Sequence, residues 1–494
     1  MMQPVVVEAL VLALMGFSGV ALGLLFGIRH WIVLAFFAVA ASTLLRTWSA
    51  FTAWSLGRPE WALEAWLIIS ILAVAVAAAT RYRAWSTAGL AVGLFGVGSV
   101  VAILTKYVLG VGERHHSDSA SMLSMAIFAI QGEFDDTEVI ADSYKRGISY
   151  PLMLALGPEG RILSAYTPLV YFALLVAAGW IAWKLLAGRV SWKVFAVVIG
   201  ALTLFSLTVP MFRAAMSYLN GHTLMGFATV LLVGGLLIAR QEQRFSAIPM
   251  AFTLVGGALG ATARVEGIVL VLVVVIALVG QTWWSGATQR LQLFATLSVI
   301  GLTFTWWLSA LESPVLERFG LPDWVLVLLT LVGASVAASK WIDPIRAWLL
   351  PAAAAILLVL LARVVWQSSN PVGTVLAQWP NLGLGVGGWG TAAHVFIGSA
   401  VLLGIRRRSA EYRWLLGLSA LLIAAVLFSK TFDGGFGRAS FYDSVNRMWL
   451  HVMPTILLTT LVGYSEALHA ALGRRAATQS SPRQTAATNS PTAQ

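Results

Sequence analysis

Residues 219–281 read LNGHTLMGFATVLLVGGLLIARQEQRFSAIPMAFTLVGGALGATARVEGIVLVLVVVIALVGQ, and the fold turns on this stretch. The apolar run 219–239 is long enough to cross a bilayer, since a span needs about 20 predominantly apolar residues, and it ends in a basic turn that carries Arg240 and Arg244. The part that follows, 246–281, reads either as two short helices meeting at Arg264 or as one long broken helix. Runs of the same kind recur near 5–27, 31–50, 62–80, 86–110, 164–186, 192–212, 291–310, 323–339, 346–366, 388–405, 413–429 and 448–467. Hydropathy therefore predicts an all-α fold, a polytopic membrane helix bundle of about 13–15 transmembrane helices with a partly helical extracytoplasmic loop.

Composition agrees. The 494 residues are 59% hydrophobic and only 11% charged, with a mean hydropathy of +0.83. Soluble domains average about 45–50% apolar and about 25% charged, so lipid must cover the surplus apolar surface. The formal charge of +11 does not point to nucleic acid, because the basic residues stand singly between apolar runs rather than clustering on a soluble module. The absence of cysteine excludes disulfides, thiol chemistry and thiolate metal sites. The N-terminus lacks a basic leader region, and its apolar stretch reads as a first span rather than a cleavable signal.

The connections alternate in character. Arg81 with Arg83, Lys184 with Arg189 and Lys193, Arg240 with Arg244, Arg406 to Arg408, and Arg474 with Arg475 mark short basic turns. The long loops 111–163, 367–387 and 430–447 fall on the other side. Short basic loops stay cytoplasmic. The expected protein is thus a multi-pass plasma-membrane protein whose N-terminus and long loops are extracytoplasmic. Its transmembrane domain covers 1–467, with a disordered cytoplasmic tail over 468–494. The Ser, Thr, Pro, Gln and Ala of that tail, densest from Ala476 onward, cannot bury apolar surface.

The loop 111–163 holds eight of the chain's 21 acidic residues: Glu113, Asp118, Glu133, Asp135, Asp136, Glu138, Asp142 and Glu159. From Ser119 to Ile130, Met122, Met125, Ala126 and Ala129 recur at helical spacing, which predicts an amphipathic helix on the membrane surface. Ser117 or Asp118 would cap that helix, and Asp118 reads either as the N-cap or as a general base held at the membrane surface. Asn220-Gly221-His222 opens the span 219–239. Arg264 and Glu266 sit between apolar runs, where charge is costly, so they are expected to be shielded from lipid and to pair. A further polar group, Asp443 to Arg447, precedes the last span.

Taken together, segments 113–157, 211–240 and 252–282 resemble the GT-C superfamily of membrane glycosyltransferases, which includes protein mannosyltransferases, aminoarabinose transferases and actinobacterial cell-envelope glycosyltransferases. The resemblance is carried by Asp118, Gly132-Glu133 and Tyr150-Pro151 in the loop. It continues with Asn220-Gly221-His222 ahead of a span ending at Arg240, and with Thr262, Arg264, Glu266 and Gly267 where the family has Thr-Arg-Pro-Glu-Gly. Val265 replaces that proline, His222 stands where an acidic residue is common, a serine stands beside Asp118 where a second acid is expected, and four spans rather than one precede the loop.

The resemblance implies inverting transfer of a sugar from a polyprenyl-phosphate-linked donor to a glycan, lipid or protein acceptor of the cell envelope. Asp118 would be the general base. Arg447, Lys145, Arg146 and Arg264 are the candidates for the leaving phosphate, and Tyr150, His222, Asn220 and Glu266 the further substrate-binding candidates. Arginine suits phosphate through its bidentate fork, and Arg447 also reads as an interfacial anchor. The cofactor is left open, with a divalent metal held by His115, His116 and His222 beside Asp118 as one option. The partners are then the lipid-linked donor, the acceptor and membrane lipids, with no nucleic acid. A transporter or lipid-linked-sugar flippase and a noncatalytic membrane scaffold are the competing readings.

Overall fold

The computed structural model describes residues 2–111, 124, 147–155, 162–217, 219, 221–264, 266–284, 286–312, 321–367, 388–405, 409–432 and 447–480. The chain is an all-α polytopic membrane helix bundle. In chain order the helices are α1 (Met2–Leu25), α2 (Trp31–Ser55), α3 (Ala62–Thr80), α4 (Trp85–Leu109), α5 (Ser149–Leu154), α6 (Tyr166–Leu186), α7 (Trp192–Thr208), α8 (Pro210–Ser217) and α9 (His222–Glu242). They continue with α10 (Ala247–Ala263), α11 (Gly267–Val279), α12 (Ala287–Glu312), α13 (Leu321–Ala338), α14 (Arg346–Gln367), α15 (Ser399–Ile405), α16 (Ala410–Phe432) and α17 (Met453–Ser480). Among the described residues the only β pairing is one isolated bridge, Ala155 to Ile162.

Among the described residues ten helices are long and apolar enough to cross a bilayer, and an eleventh span is formed if α7 and α8, bent by 76°, count as one. Four predicted spans become shorter apolar helices: Ala247–Ala263, Gly267–Val279, Pro322–Ala338 and His394–Leu403. The last of these begins as a π-helix over His394–Gly398. Of the two readings of 246–281 the structure takes the first, two helices meeting at Arg264.

Burial sorts the helices. Every residue of α9 from His222 to Ala239 is buried, so α9 is the axis of the bundle. Its small residues permit this, because membrane helices without a hydrophobic drive between them associate by close packing. By contrast α3, α4 and α14 present Leu67, Ile68, Leu72, Leu104, Leu358 and Val359 outward. A helix this apolar can keep an exposed face only where lipid covers it.

Polar contacts divide the bundle into two ends. At one, Lys184 meets Glu242 at 3.2 Å, Arg189 meets Glu411 at 2.8 Å and Glu466 at 3.5 Å, and Arg346 and Arg290 share Asp343 at 2.7 Å each. This is the basic end. At the other, the described flanks of loops 111–163 and 430–447 come together with the start of α9 and the α10–α11 break; this is the loop end. The last helix continues through Ser480, so 468–480 is helical where a tail was expected; 481–494 lie outside the described residues.

Candidate functional site at the loop end

The chain leaves α10 at Ala263, makes one turn and enters α11 at Gly267. Arg264 and Glu266 bracket that turn. The guanidinium donates from Nε to Glu266 Oε2 at 3.1 Å and from Nη2 to Oε1 at 3.3 Å, a two-point pair with both side chains about nine-tenths buried. The expected pairing is thus present, and a charge at this depth is tolerable because its partner is two residues away. The turn is tight enough to require Gly267: a Cβ there would lie 1.9 Å from the Gly260 carbonyl oxygen.

The far flank of the acidic loop is seated on this turn. Gly147 has φ +69°, and a Cβ on it would lie 2.3 Å from the Ala263 carbonyl carbon. The Ile148 amide donates to the Thr262 carbonyl at 2.9 Å, one of the acceptors left free where α10 stops. Ser149 Oγ bonds Thr262 Oγ1 at 2.6 Å and accepts from Thr47 at 3.0 Å. Tyr150 is fully buried, with its hydroxyl on Thr167 and its ring 5.6 Å from that of Tyr166. It anchors α5 into the bundle and presents no open surface to a ligand. Arg46, also fully buried, donates to the carbonyls of Ala62 at 2.9 Å, Leu152 at 3.4 Å and Ala155 at 3.5 Å. The backbone at the exit of α5 is therefore fixed from beneath by a charge in the middle of α2.

His222, the first residue of α9, is buried against His451 in the turn before α17. Nδ1 of the first lies 2.8 Å from Nε2 of the second, and the rings stack with centroids 4.9 Å apart. His451 lies within electrostatic reach of Glu266, so the histidine pair and the Arg264–Glu266 pair are neighbours where α9, the α10–α11 turn and the start of α17 meet. Arg447 is half-buried one turn before His451.

Of the sequence-predicted residues, the structure brings together His222, Arg264 and Glu266, with the α5 backbone of Tyr150 pinned beside them. Asp118, Lys145, Arg146, Asn220, His115 and His116 lie outside the described residues, as does the amphipathic run 119–130 apart from Ser124. Among the described residues no group of three or more His, Asp or Glu side chains is arranged to hold a metal ion. Sequence reasoning missed His451, Ser149 and Arg46. The signal for Arg46 was available, a lone arginine within the apolar run 31–50. His451, four residues beyond Arg447, carried only the faint signal of a polar ring opening an apolar run.

Comparison of the chain with protein-family models, with curated proteins and with solved structures finds no match.

Proposed function

We propose that the chain is an inverting membrane glycosyltransferase that takes its sugar from a polyprenyl-phosphate donor and works at the loop end, on the extracytoplasmic side of the plasma membrane. One observation supports this most: residues 147–149 rest directly on Thr262 and Ala263. The far flank of the acidic loop and the Thr262–Gly267 turn, parts of the segments that carry the GT-C resemblance, thereby belong to one end of the bundle together with His222 and Arg447. The chemistry is coherent there. A donor outside the cell must arrive on a lipid, and a membrane-embedded end can receive the lipid's phosphate. A carboxylate must accept the acceptor's hydroxyl proton as oxygen attacks the anomeric carbon, and fixed positive charge must meet the departing phosphate. Asp118 is assigned the first role and Arg447 the second.

The buried Arg264–Glu266 pair also suits a substrate path through a transporter or flippase, and one assay separates the two. Transfer from a radiolabelled polyprenyl-phosphate sugar is measured in membranes, with donor binding measured separately. Asp118→Asn keeps size and much of the capping ability, and its transfer rate should fall about 10²–10⁴-fold, the usual contribution of a general base. Arg447→Ala should weaken donor binding as well as transfer. A folded Asp118→Asn protein with near-normal transfer removes the enzyme reading's main residue.

A further inference from the structure

At the basic end a cleft of about 440 Å³ opens between α9, α14 and α16. Two guanidiniums, those of Arg240 and Arg413, lie at its rim, with Trp414 between the helices and Leu350, Leu418 and Leu421 lining the remainder. Arg240 is held in place, donating to Gln281 Oε1 at 2.9 Å and stacking 4.4 Å from the Trp414 ring. Arg413 is exposed. Among the described residues neither arginine makes an ion pair. Glu411, whose charge reaches Arg240, is itself taken by Arg189 at 2.8 Å.

The shape decides what kind of anion fits. From Ala410 at the helix start to Leu421 the cleft follows α16 for about 16 Å at 1.5 Å per residue. That is roughly half of a hydrocarbon core about 30 Å thick, the depth of one leaflet. A soluble anion has no use for an apolar wall of that length, and a neutral lipid has no use for two guanidiniums that make no ion pair among the described residues. Arginine pairs of this kind recognise phosphate bidentately, and basic pockets between membrane helices suit anionic head groups. We propose that this cleft is a binding site for an anionic glycerophospholipid of the leaflet at the basic end. Its phosphate sits between Arg240 and Arg413, its glycerol lies against Trp414, and an acyl chain follows Leu350, Leu418 and Leu421. The site requires only that the bundle lies in a bilayer, and it is separated from the loop-end cluster by the length of α9.

The test uses the full chain purified into mixed micelles containing equal amounts of phosphatidylglycerol and phosphatidylcholine, with retained lipid counted by native mass spectrometry. Wild type should retain phosphatidylglycerol in preference. Arg413→Gln, which breaks no ion pair among the described residues and should leave the melting temperature unchanged, should reduce that preference about five-fold, the effect of removing roughly 1 kcal/mol of interfacial attraction per arginine. Arg240→Gln combined with Arg413→Gln should abolish it. Lys193→Gln makes the same change in net charge at an exposed residue outside the cleft and should have no effect. Glycerol 3-phosphate, which carries the phosphate without the chains, should not displace the lipid. The proposal is overturned by equal retention of the two lipids in wild type, by an unchanged preference in Arg413→Gln, or by an equal loss in Lys193→Gln. Displacement by glycerol 3-phosphate would make the cleft a soluble-anion site and equally end the lipid assignment.

Discussion

The two ends of the bundle use charge in opposite ways. At the basic end, ion pairs tie one helix terminus to the next across partly exposed surface, as with Arg189 between Glu411 and Glu466. At the loop end, Arg264 and Glu266 are buried almost completely, and two stacked histidines lie beside them. Exposed pairs contribute about 0–1 kcal/mol each and need no function beyond orientation and lipid contact. A buried pair gains little over a well-packed apolar substitute, yet breaking it costs several kcal/mol. Charge of the second kind is costly in a membrane protein and is the reason the proposed site is placed at the loop end.

The contrast can be broken most forcefully at Glu266. Glu266→Gln leaves Arg264 buried without its counter-charge, and stability should fall by about 3–5 kcal/mol. The readout is folded yield and melting temperature in detergent. Unchanged stability would mean that the pair is hydrated rather than buried. A smaller effect is expected at the histidines: His451→Leu leaves a buried ring nitrogen of His222 without its present partner, costing about 1–3 kcal/mol. His222→Leu with His451→Leu should then show non-additive losses in a double-mutant cycle, and strictly additive losses would deny the contact. Glu411→Gln at the basic end should shift stability by less than about 1 kcal/mol. A loss equal to that of Glu266→Gln would erase the distinction between the ends.

The smallest effect concerns pH. His30, in the turn between α1 and α2, has its pKa held below the ordinary histidine value, first by partial burial and then by the charge of Lys184. The unfolded chain thus binds the proton more readily than the folded one. Stability should be unaffected above the unfolded value near 6.5 and decline slightly as pH falls through it toward the folded value. His30→Gln should remove that decline in melting curves taken across pH 5–7.

Much of the architecture was legible because bilayer thickness imposes a length and a composition on each span. The break at Arg264 was legible for the same reason, since two charges two residues apart cannot sit within an apolar run unless they pair. The extent of α17 was not. The Ser, Thr and Gln of the terminal stretch suggested a tail, but the preceding SEALHAALGRRAA is dense in Ala, Leu and Arg, strong helix formers that carry the helix on through Ser480. His451 escaped for a different reason: its partner lies 229 residues away, and no local period reports such a meeting. The seating of Gly147 on Ala263 is equally non-local, set by the tertiary approach of two backbones rather than by any motif.

The proposed function requires the loop end to be a single extracytoplasmic working end shared by the loops 111–163 and 430–447. It is tested most directly by single-cysteine labelling, which has no background because the chain contains no cysteine. Asp136→Cys and Ser440→Cys should both react with a membrane-impermeant maleimide on whole cells, whereas Arg244→Cys, at the basic end, should react only after permeabilisation. Labelling of residue 136 without residue 440, or of residue 244 on intact cells, would contradict the account.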